Sequence, residues 1–281
     1  MSNNKSYSVI RQERTRYAND HTALMQEKYG DKIKYSIDNT IKFDNNNKDV
    51  EVTLKLIDNC SRPKIYLWDV DTVEALYRTT LNEYNMSENT AVLNFASFKY
   101  PGGGFIVGTN AQEENLCQES FLYNVLKEFD STWYEWNRNH TNKSLYMNRG
   151  LYSKNIRFEK HNKELYADVI TVASPNKNAY DALDDTTDTI DYDENYKALK
   201  DRIGFILNIA NAMHVENIIL GAFGCGVFKQ DAAEVAQIFK EYIDTYDYGF
   251  KSVIYAIPDK DGNNYKTFEN IIECEVINAK L

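Results

Sequence analysis

The chain has 281 residues, of which 43% are hydrophobic and 13% aromatic, and its formal net charge is -10 at pH 7. This apolar and aromatic content is sufficient for one sizeable core and excludes a disordered chain. The negative charge argues against a basic groove that follows nucleic-acid phosphates, although backbone N–H groups can still bind a nucleotide's phosphates in an acidic protein.

The cysteines and histidines are scattered along the chain. No two cysteines form a C-x-x-C pair, and no two histidines have the i, i+4 spacing of helix-borne metal ligands. The pattern therefore predicts reduced intracellular thiols, no metal site and no cofactor. There is no apolar segment typical of a signal peptide or a membrane span. We expect a soluble cytoplasmic monomer without membrane contact; a secreted effector without a cleaved signal is the alternative. The cysteines are Cys60, Cys117, Cys225 and Cys274.

The first third of the chain predicts two helices and two short strands. Apolar residues at seven-residue intervals, with Gly30 as C-cap, predict an amphipathic helix over 8–29. Short strands are expected at 32–37 and 50–57, separated by a polar turn. Asp71 is the predicted N-cap of a helix that extends to Leu81. The apolar stripe of the first helix is Ile10, Tyr17 and Leu24, with Ala18 and Met25 beside it, and its charges (Arg11, Glu13, Arg14 and Arg16) are interpreted as a solvated face.

A glycine loop between a strand and a helix carries the strongest chemical pattern. Residues 91–96 are almost continuously apolar, as in a strand buried on both faces. The glycines at 102–104 allow positive φ and a close approach of the backbone to a ligand. Glu113 and Glu114 then fall in the first turn of a helix over 112–126, where they are placed for acid/base chemistry. A plain tight turn, followed by a helix with an ordinary acidic first turn, accounts for the same residues.

The position of the two glutamates at a helix start has an electrostatic consequence. The helix dipole favours ionised carboxylates. A general acid needs the opposite, so burial or repulsion between Glu113 and Glu114 must outweigh the dipole if one of them is to hold a proton near neutral pH.

The second half of the chain alternates strands and helices. Residues 130–163 predict aromatic loop and strand, and 169–173 predict a central strand. Asn176 is a second site candidate, because open α/β sheets bind ligands beyond the carboxyl ends of their strands. The acidic stretch 177–195 is interpreted as a solvated loop. Further elements are predicted as a helix over 196–213, strands at 217–220 and 253–257, and helices over 231–246 and 266–274.

A second glycine loop, from Gly221 to Phe228, connects one of these strands to the helix at 231. Such a loop gathers unpaired N–H groups that suit a diphosphate. Cys225 is interpreted as a small buried residue and not a nucleophile, because no histidine lies near it in sequence. Phe228 is either a core residue or a ring that stacks on a ribose or base.

These motifs together resemble the bacterial-type branch of the poly(ADP-ribose) glycohydrolases, a macrodomain family. The resemblance consists of the triple glycine, a seven-residue spacer and Gln112-Glu113-Glu114, with further similarity at 94–97, 115–120 and 220–228, and it extends over about residues 7–258. It implies one domain with a three-layer α/β/α macrodomain sandwich and a mixed central sheet. An N-terminal helical and strand extension, 1–60, would precede the core, 61–281.

The resemblance also implies an activity and a set of site residues. The activity is hydrolysis of the ribose–ribose O-glycosidic bonds of poly(ADP-ribose), with Glu114 as general acid and base. Gln112 and Glu113 would hydrogen-bond the hydroxyls of the reacting ribose, and the second glycine loop would hold the diphosphate. The implied substrate contacts are Asn94, Gly102, Gly103, Gly104, Phe105, Gln112, Asn176, Gly224, Cys225, Gly226, Val227 and Phe228.

Two other functions remain open on sequence. One is removal of single ADP-ribose units from modified protein or nucleic acid, and the other is a macrodomain that binds ADP-ribose without catalysis. The first stays open because the leaving group would lie at the cleft mouth, where the sequence has least pattern, and the second because Tyr100 stands where relatives often have Asn. A further departure from the family pattern is Lys229-Gln230, where relatives tend to have Asn and Pro.

Overall fold

The computed structural model describes residues 7–44, 54–58, 62–81, 86, 89–182 and 192–273. In these residues a seven-stranded mixed sheet lies between two layers of helices. Each face of the sheet is covered by its own apolar cluster. The predicted three-layer α/β/α architecture with an N-terminal helix is therefore confirmed.

The main sheet combines a parallel centre with an antiparallel edge. The strands in the described residues are β1 Ile41–Asp44, β2 Lys55–Leu56, β3 Lys64–Trp68, β4 Thr90–Phe95, β5 Arg149–Lys160, β6 Lys163–Val172, β7 Asn217–Leu220, β8 Tyr246–Asp247 and β9 Ser252–Ala256. The order in the sheet is β1-β5-β6-β4-β7-β9-β3, and β2 pairs with β8 separately. From β6 to β3 neighbouring strands are parallel, whereas β5 is antiparallel to both of its neighbours.

The helices are divided between the two faces of this sheet. They are α1 Tyr7–Asp38, α2 Thr72–Thr79, α3 Gln112–Gln118, α4 Leu122–Leu126, α5 Glu135–Asn139, α6 Lys177–Asp181, α7 Tyr192–Ala212, α8 Ala232–Thr245 and α9 Asn263–Ile271. Side chains of α7, α8 and α9 fill one cluster. Side chains of α1, α2, α3 and α4 fill the other. The N-terminal helix therefore packs into a core that it shares with the rest of the chain.

Strand β4 lies at the centre of the sheet because both of its faces are apolar. Ala91 and Leu93 belong to the α7–α9 cluster, whereas Val92 belongs to the opposite one. All three are fully buried. This is the alternation that a two-layer cover imposes on a strand, and it confirms the strand predicted at 91–96.

The N-terminal prediction was wrong in two respects. A strand was expected at 32–37, but α1 continues through Gly30 to Asp38, with a kink at Tyr29. Ile33 and Ser36 are buried against the core, and with Ile37 they have the i, i+3, i+4 spacing of one helix face. The expected stripe is also displaced, since Tyr17 and Leu24 are exposed while Ala18 and Met25 are buried.

The helix predicted over 112–126 is broken into α3 and α4. Between them Ser120 pairs with Phe158 of β5, and the N–H of Glu159 donates to the carbonyl of Glu119 at 2.8 Å. The Ser120 hydroxyl donates to Leu116 O and accepts from Leu122 N. The helix is therefore interrupted at Glu119 and Ser120, whose backbones pair with strand β5.

Several other predicted elements are confirmed within a few residues. The Asp71 carboxylate accepts from Glu74 N as the N-cap of α2, and Asp231 caps α8 in the same way. Strands β6, β7 and β9 and helices α7 and α9 lie where the pattern placed them. Strands β1, β3 and β8 were not predicted. The acidic stretch 177–195, which was interpreted as a loop, is helical at both of its described ends, in α6 and in the first turn of α7.

Some predictions lie partly or wholly outside the described residues. They concern Cys60, Cys274, most of the turn after Asp44, much of the strand at 50–57 and the centre of the acidic stretch 177–195. In the part of the chain that the structure describes, no helix is both long and apolar enough to cross a lipid bilayer.

Candidate active site

The candidate site is a cleft at one edge of the sheet, between the two glycine loops. Strands β4 and β7 are adjacent and parallel, so the loops that follow them leave the sheet at the same edge. Two adjoining compartments of about 810 and 710 Å³ lie there, and their shared walls include Phe95, Val227 and Phe228. Volumes of this size are typical of sites for small organic ligands.

Glu113 lines the first compartment and is 3% exposed. Its carboxylate accepts hydrogen bonds from Asn94 Nδ2 at 3.1 Å and from the N–H of Ser97 at 2.7 Å. Burial nevertheless raises the pKa of Glu113 to about 8, and the charge of Glu114 adds to the rise, while these hydrogen bonds oppose it. Glu113 therefore holds a proton near neutral pH, so burial outweighs the helix dipole at this position.

Glu114 lines the same compartment in a different hydrogen-bond environment. Its Oε1 accepts from the N–H of Gly104 at 2.8 Å and from Thr109 Oγ1 at 2.6 Å, and its Oε2 accepts from the N–H of Ala111 at 2.9 Å. The last bond also satisfies the N-cap amide of α3. Thr109 was not singled out in the sequence, because its hydroxyl reaches Glu114 only through the fold of the loop.

Gly103 lies between the two carboxylates and explains why this position has no side chain. A Cβ at Gly103 would lie 2.8 Å from Glu114 Oε1 and 2.9 Å from Glu113 Oε2. The residue also has a φ of +59°, in the left-handed region that glycine tolerates. The triple glycine therefore lets the loop close over both carboxylates.

Gln112 has a structural task that the sequence did not reveal. Its Oε1 accepts from the N–H of Phe95, and its Nε2 donates to Leu93 O and Thr72 Oγ1. Both amide hydrogens are therefore engaged in joining α3 to the end of β4 and the start of α2, and neither is left for the ribose hydroxyl that Gln112 was expected to bind.

The second glycine loop presents free backbone donors. Gly224 has a φ of +78°, and among the described residues the N–H groups of Gly224, Gly226, Val227 and Phe228 donate to no protein acceptor. Asp231 occupies the first N–H groups of α8. The free donors are therefore those of the loop itself, whereas the N-terminus of α8 is already capped by Asp231.

Two residues of this loop were open to interpretation. Phe228 is half-buried, lines both compartments and packs edge-on against Tyr146, so its ring is available to a ligand as well as to the core. Burial raises the pKa of the Cys225 thiol to about 12, which agrees with its interpretation as an unreactive residue.

The remaining expected contacts divide into residues that line the cleft and residues that support it. Asn94 is fully buried beneath Glu113. Asn176 caps α6 by accepting from Ala179 N. The Gly102 backbone lies against the ring of Tyr123. The cleft is lined by Gly103, Gly104, Gln112, Gly224, Gly226, Val227 and Phe228 but not by Asn94, Gly102, Phe105, Asn176 or Cys225.

The N-terminal helix α1 contacts the segment that follows the triple glycine. Arg11 Nε donates to Val107 O at 2.8 Å, and Gly108, with a φ of +78°, lies so close to the Arg11 carbonyl that a Cβ would overlap it. Arg11 was interpreted as part of a solvated face. Arg11 is exposed, in agreement with this interpretation, and it also ties α1 to the short 3-10 turn at Phe105–Val107.

Within the described ranges, no three His, Cys, Asp or Glu side chains are grouped so that they could hold a metal ion.

Comparisons with known proteins agree with this geometry. A family model described as "Microbial-type PARG, catalytic domain" matches residues 5–161. A search of curated proteins found no match.

Solved structures of bacterial proteins share the fold. Poly(ADP-ribose) glycohydrolase from Thermomonospora curvata, bound to the inhibitor ADP-HPD, superposes with a TM-score of 0.78 at 24% identity, over 93% of this chain and 100% of the other. The enzyme of the same name from Deinococcus radiodurans, in complex with ADP-ribose, superposes with a TM-score of 0.70 at 26% identity, over 86% of this chain and 97% of the other. The matched family model covers more than half of the chain and includes the triple glycine and both glutamates, so the protein belongs to the family of microbial-type poly(ADP-ribose) glycohydrolase (PARG) catalytic domains.

Proposed function

We propose that this protein hydrolyses the ribose–ribose O-glycosidic bonds of poly(ADP-ribose) and releases ADP-ribose. The observation that carries the proposal is the pair of buried carboxylates on either side of Gly103, next to a loop with four free N–H groups. Most glycoside hydrolases use two carboxyl groups in one site as their catalytic groups. The family match and the neighbouring structures with ADP-ribose or an inhibitor support the same activity.

The proposed substrate position follows from the two compartments. The diphosphate of the reacting ADP-ribose unit accepts hydrogen bonds from the N–H groups of Gly224 and Gly226–Phe228. Its terminal ribose then lies against Gly103 and Gly104, with C1″ above the two carboxylates. Phe228 stands where the two compartments meet and packs against the bound unit.

The proposed chemistry adds one water across the glycosidic bond. Glu114 donates a proton to the leaving oxygen as the bond to C1″ breaks, and an oxocarbenium-like ribose forms. Water then attacks C1″ and gives its proton to Glu114. In the free enzyme three hydrogen bonds hold the Glu114 carboxyl group in place. Glu113, whose pKa burial raises to about 8, lies on the other side of Gly103.

Glu114→Gln tests this proposal. We expect the wild type to release ADP-ribose from poly(ADP-ribose) and the variant to lose roughly a thousandfold in kcat. Calorimetric binding of free ADP-ribose should persist in the variant, because the diphosphate loop is unchanged. Tight binding of ADP-ribose without release from polymer or from mono-ADP-ribosylated protein would instead identify a binding macrodomain.

The proposal has three further parts. We infer that the enzyme acts without a metal, because the carboxyl groups supply the acid/base steps of the scheme above. We also infer that it acts as a monomer and in the cytoplasm.

A further inference from the structure

The end of the first compartment that lies away from the diphosphate loop has its own set of side chains. Tyr100, Tyr123, Lys127, Asp130 and Arg138 line the first compartment and are absent from the second. In the proposed function, which this inference presupposes, the bound ADP-ribose unit extends from the carboxylates into the second compartment. The leaving group must therefore depart past these five side chains.

Lys127 is the uncompensated charge at this end. It follows Tyr123 by one helical turn at the C-terminus of α4, and the Tyr123 ring packs against Phe105 with centroids 5.3 Å apart. Lys127 is half-buried, and among the described residues its ammonium group makes no ion pair or hydrogen bond. A half-buried lysine packs its aliphatic stem against the protein and leaves its ammonium group available to a ligand, and Lys127 lines the first compartment.

Arg138 and Asp130 form a fixed pair next to Lys127. Arg138 Nη1 donates to Asp130 Oδ1 at 2.7 Å and to Lys99 O at 3.1 Å. The guanidinium also lies 5.9 Å from the centre of the Tyr100 ring. Asp130 offsets the charge of Arg138, so the pair holds the wall in place while Lys127 supplies the net positive charge.

The leaving group of the polymer and that of a mono-ADP-ribosylated protein differ in charge. When a ribose–ribose bond of the polymer breaks, the leaving unit is another ADP-ribose with an anionic diphosphate. A protein side chain that bears a single ADP-ribose carries no phosphate on the leaving side. We propose that Lys127 binds the diphosphate of the leaving ADP-ribose unit, with Arg138 as its support, and thereby favours polymer over single ADP-ribosyl groups on protein.

The test compares Lys127→Gln and Lys127→Glu with wild type on poly(ADP-ribose) and on mono-ADP-ribosylated protein. Loss of one charge-assisted phosphate contact should lower kcat/KM on the polymer roughly tenfold, mainly through KM, and charge reversal should lower it further. The ratio of polymer to mono-ADP-ribosyl turnover should fall by a similar factor. Lys28→Gln is the matched control, since Lys28 is exposed on α1 and lines neither compartment.

A binding measurement keeps the test independent of turnover. In the Glu114→Gln background, Lys127→Gln should weaken binding of a short poly(ADP-ribose) oligomer roughly tenfold more than binding of ADP-ribose, and a higher salt concentration should reduce the difference. Equal losses for the two ligands, or an unchanged substrate ratio, would overturn the role of Lys127 while wild-type polymer turnover still stood. A wild type that releases nothing from polymer would overturn the proposed function, and this inference with it.

Discussion

Two adjacent glutamates in this site differ because their surroundings differ. Glu113 is buried, and burial outweighs the donors Ser97, Asn94 and Gly102 and raises its pKa to about 8. Glu114 points toward the glycine loop and collects donors from Gly104, Thr109 and Ala111. Contrasting environments of this kind allow two carboxyl groups of one site to take different roles.

The raised pKa of Glu113 predicts a pH dependence of folding stability. An exposed glutamate titrates near 4.5, whereas folded Glu113 titrates near 8. Between these values the folded state holds the extra proton, so this group's stabilising contribution is present below pH 4.5 and is lost as the pH rises toward 8. Glu113→Gln removes the titration, so the free energy of unfolding of the variant should gain about 1.4 kcal/mol per pH unit on wild type between pH 5 and 7.5.

Urea denaturation at several pH values measures this gain. Glu128→Gln is the matched control, because Glu128 is exposed in the short 3-10 helix that follows α4. Its difference from wild type should not change with pH. A constant difference for Glu113→Gln as well would mean that Glu113 is ionised in the folded protein.

At the scale of elements, the second glycine loop allows a prediction with a control in the same loop. Gly224 has a φ of +78°, and a Cβ there would overlap the Ser174 hydroxyl; Gly226 has open space around its Cα. Gly224→Ala should therefore lower the free energy of unfolding by about 2 kcal/mol. Gly226→Ala should change it by about 0.5 kcal/mol or less. Urea denaturation of both variants tests the loop conformation, and equal losses would contradict it.

The sequence predicted most elements that carry a clear hydrophobic period. Strands β4, β7 and β9 and helices α7 and α8 were found because their apolar residues repeat with the period of one structure. The pattern at 32–37 was ambiguous, since its apolar residues suit a short strand as well as a helix face. Ile33 and Ser36 pack against the core when this segment is helical, and that tertiary packing favours the helix over the strand.

The site was predictable in its motifs and less so in its contacts. The glycines and the two glutamates were identified from sequence, and the structure brings them together in one cleft. The roles of Thr109, Gln112 and Arg11 depend on hydrogen bonds across the fold, to Glu114, Phe95 and Val107 respectively. Such bonds leave no local signal in the sequence, because the two partners of each bond are far enough apart along the chain, or so placed in a loop, that only the fold brings them together.

At the scale of the whole molecule, the sheet order creates the site. Strands β4 and β7 are far apart in sequence but adjacent in the sheet, so the two glycine loops that follow them lie on either side of one cleft. Each loop is anchored to a different helical layer, since α3 packs in one apolar cluster and α8 in the other. A ligand that spans both compartments therefore connects the two layers of the sandwich.

This geometry predicts how ligands stabilise the fold. In the proposed binding mode ADP-ribose reaches both compartments, and it should raise the free energy of unfolding by about 2.7 kcal/mol when its concentration is one hundred times its Kd. At the same concentration AMP or ribose 5-phosphate should stabilise less, because each can contact only part of the cleft. Both fragments together should also fall short, because separate molecules lack the advantage of being joined.

Thermal denaturation with each ligand checks this prediction, and the fragments distinguish the two halves of the cleft. If AMP at that concentration gave the whole effect of ADP-ribose, the carboxylate compartment would contribute no ground-state binding energy. The contacts at Gly103, Glu113 and Glu114 would then act only when the glycosidic bond breaks. A larger effect of ADP-ribose means instead that the ribose is held beside the carboxylates before reaction, as the closed glycine loop over them requires.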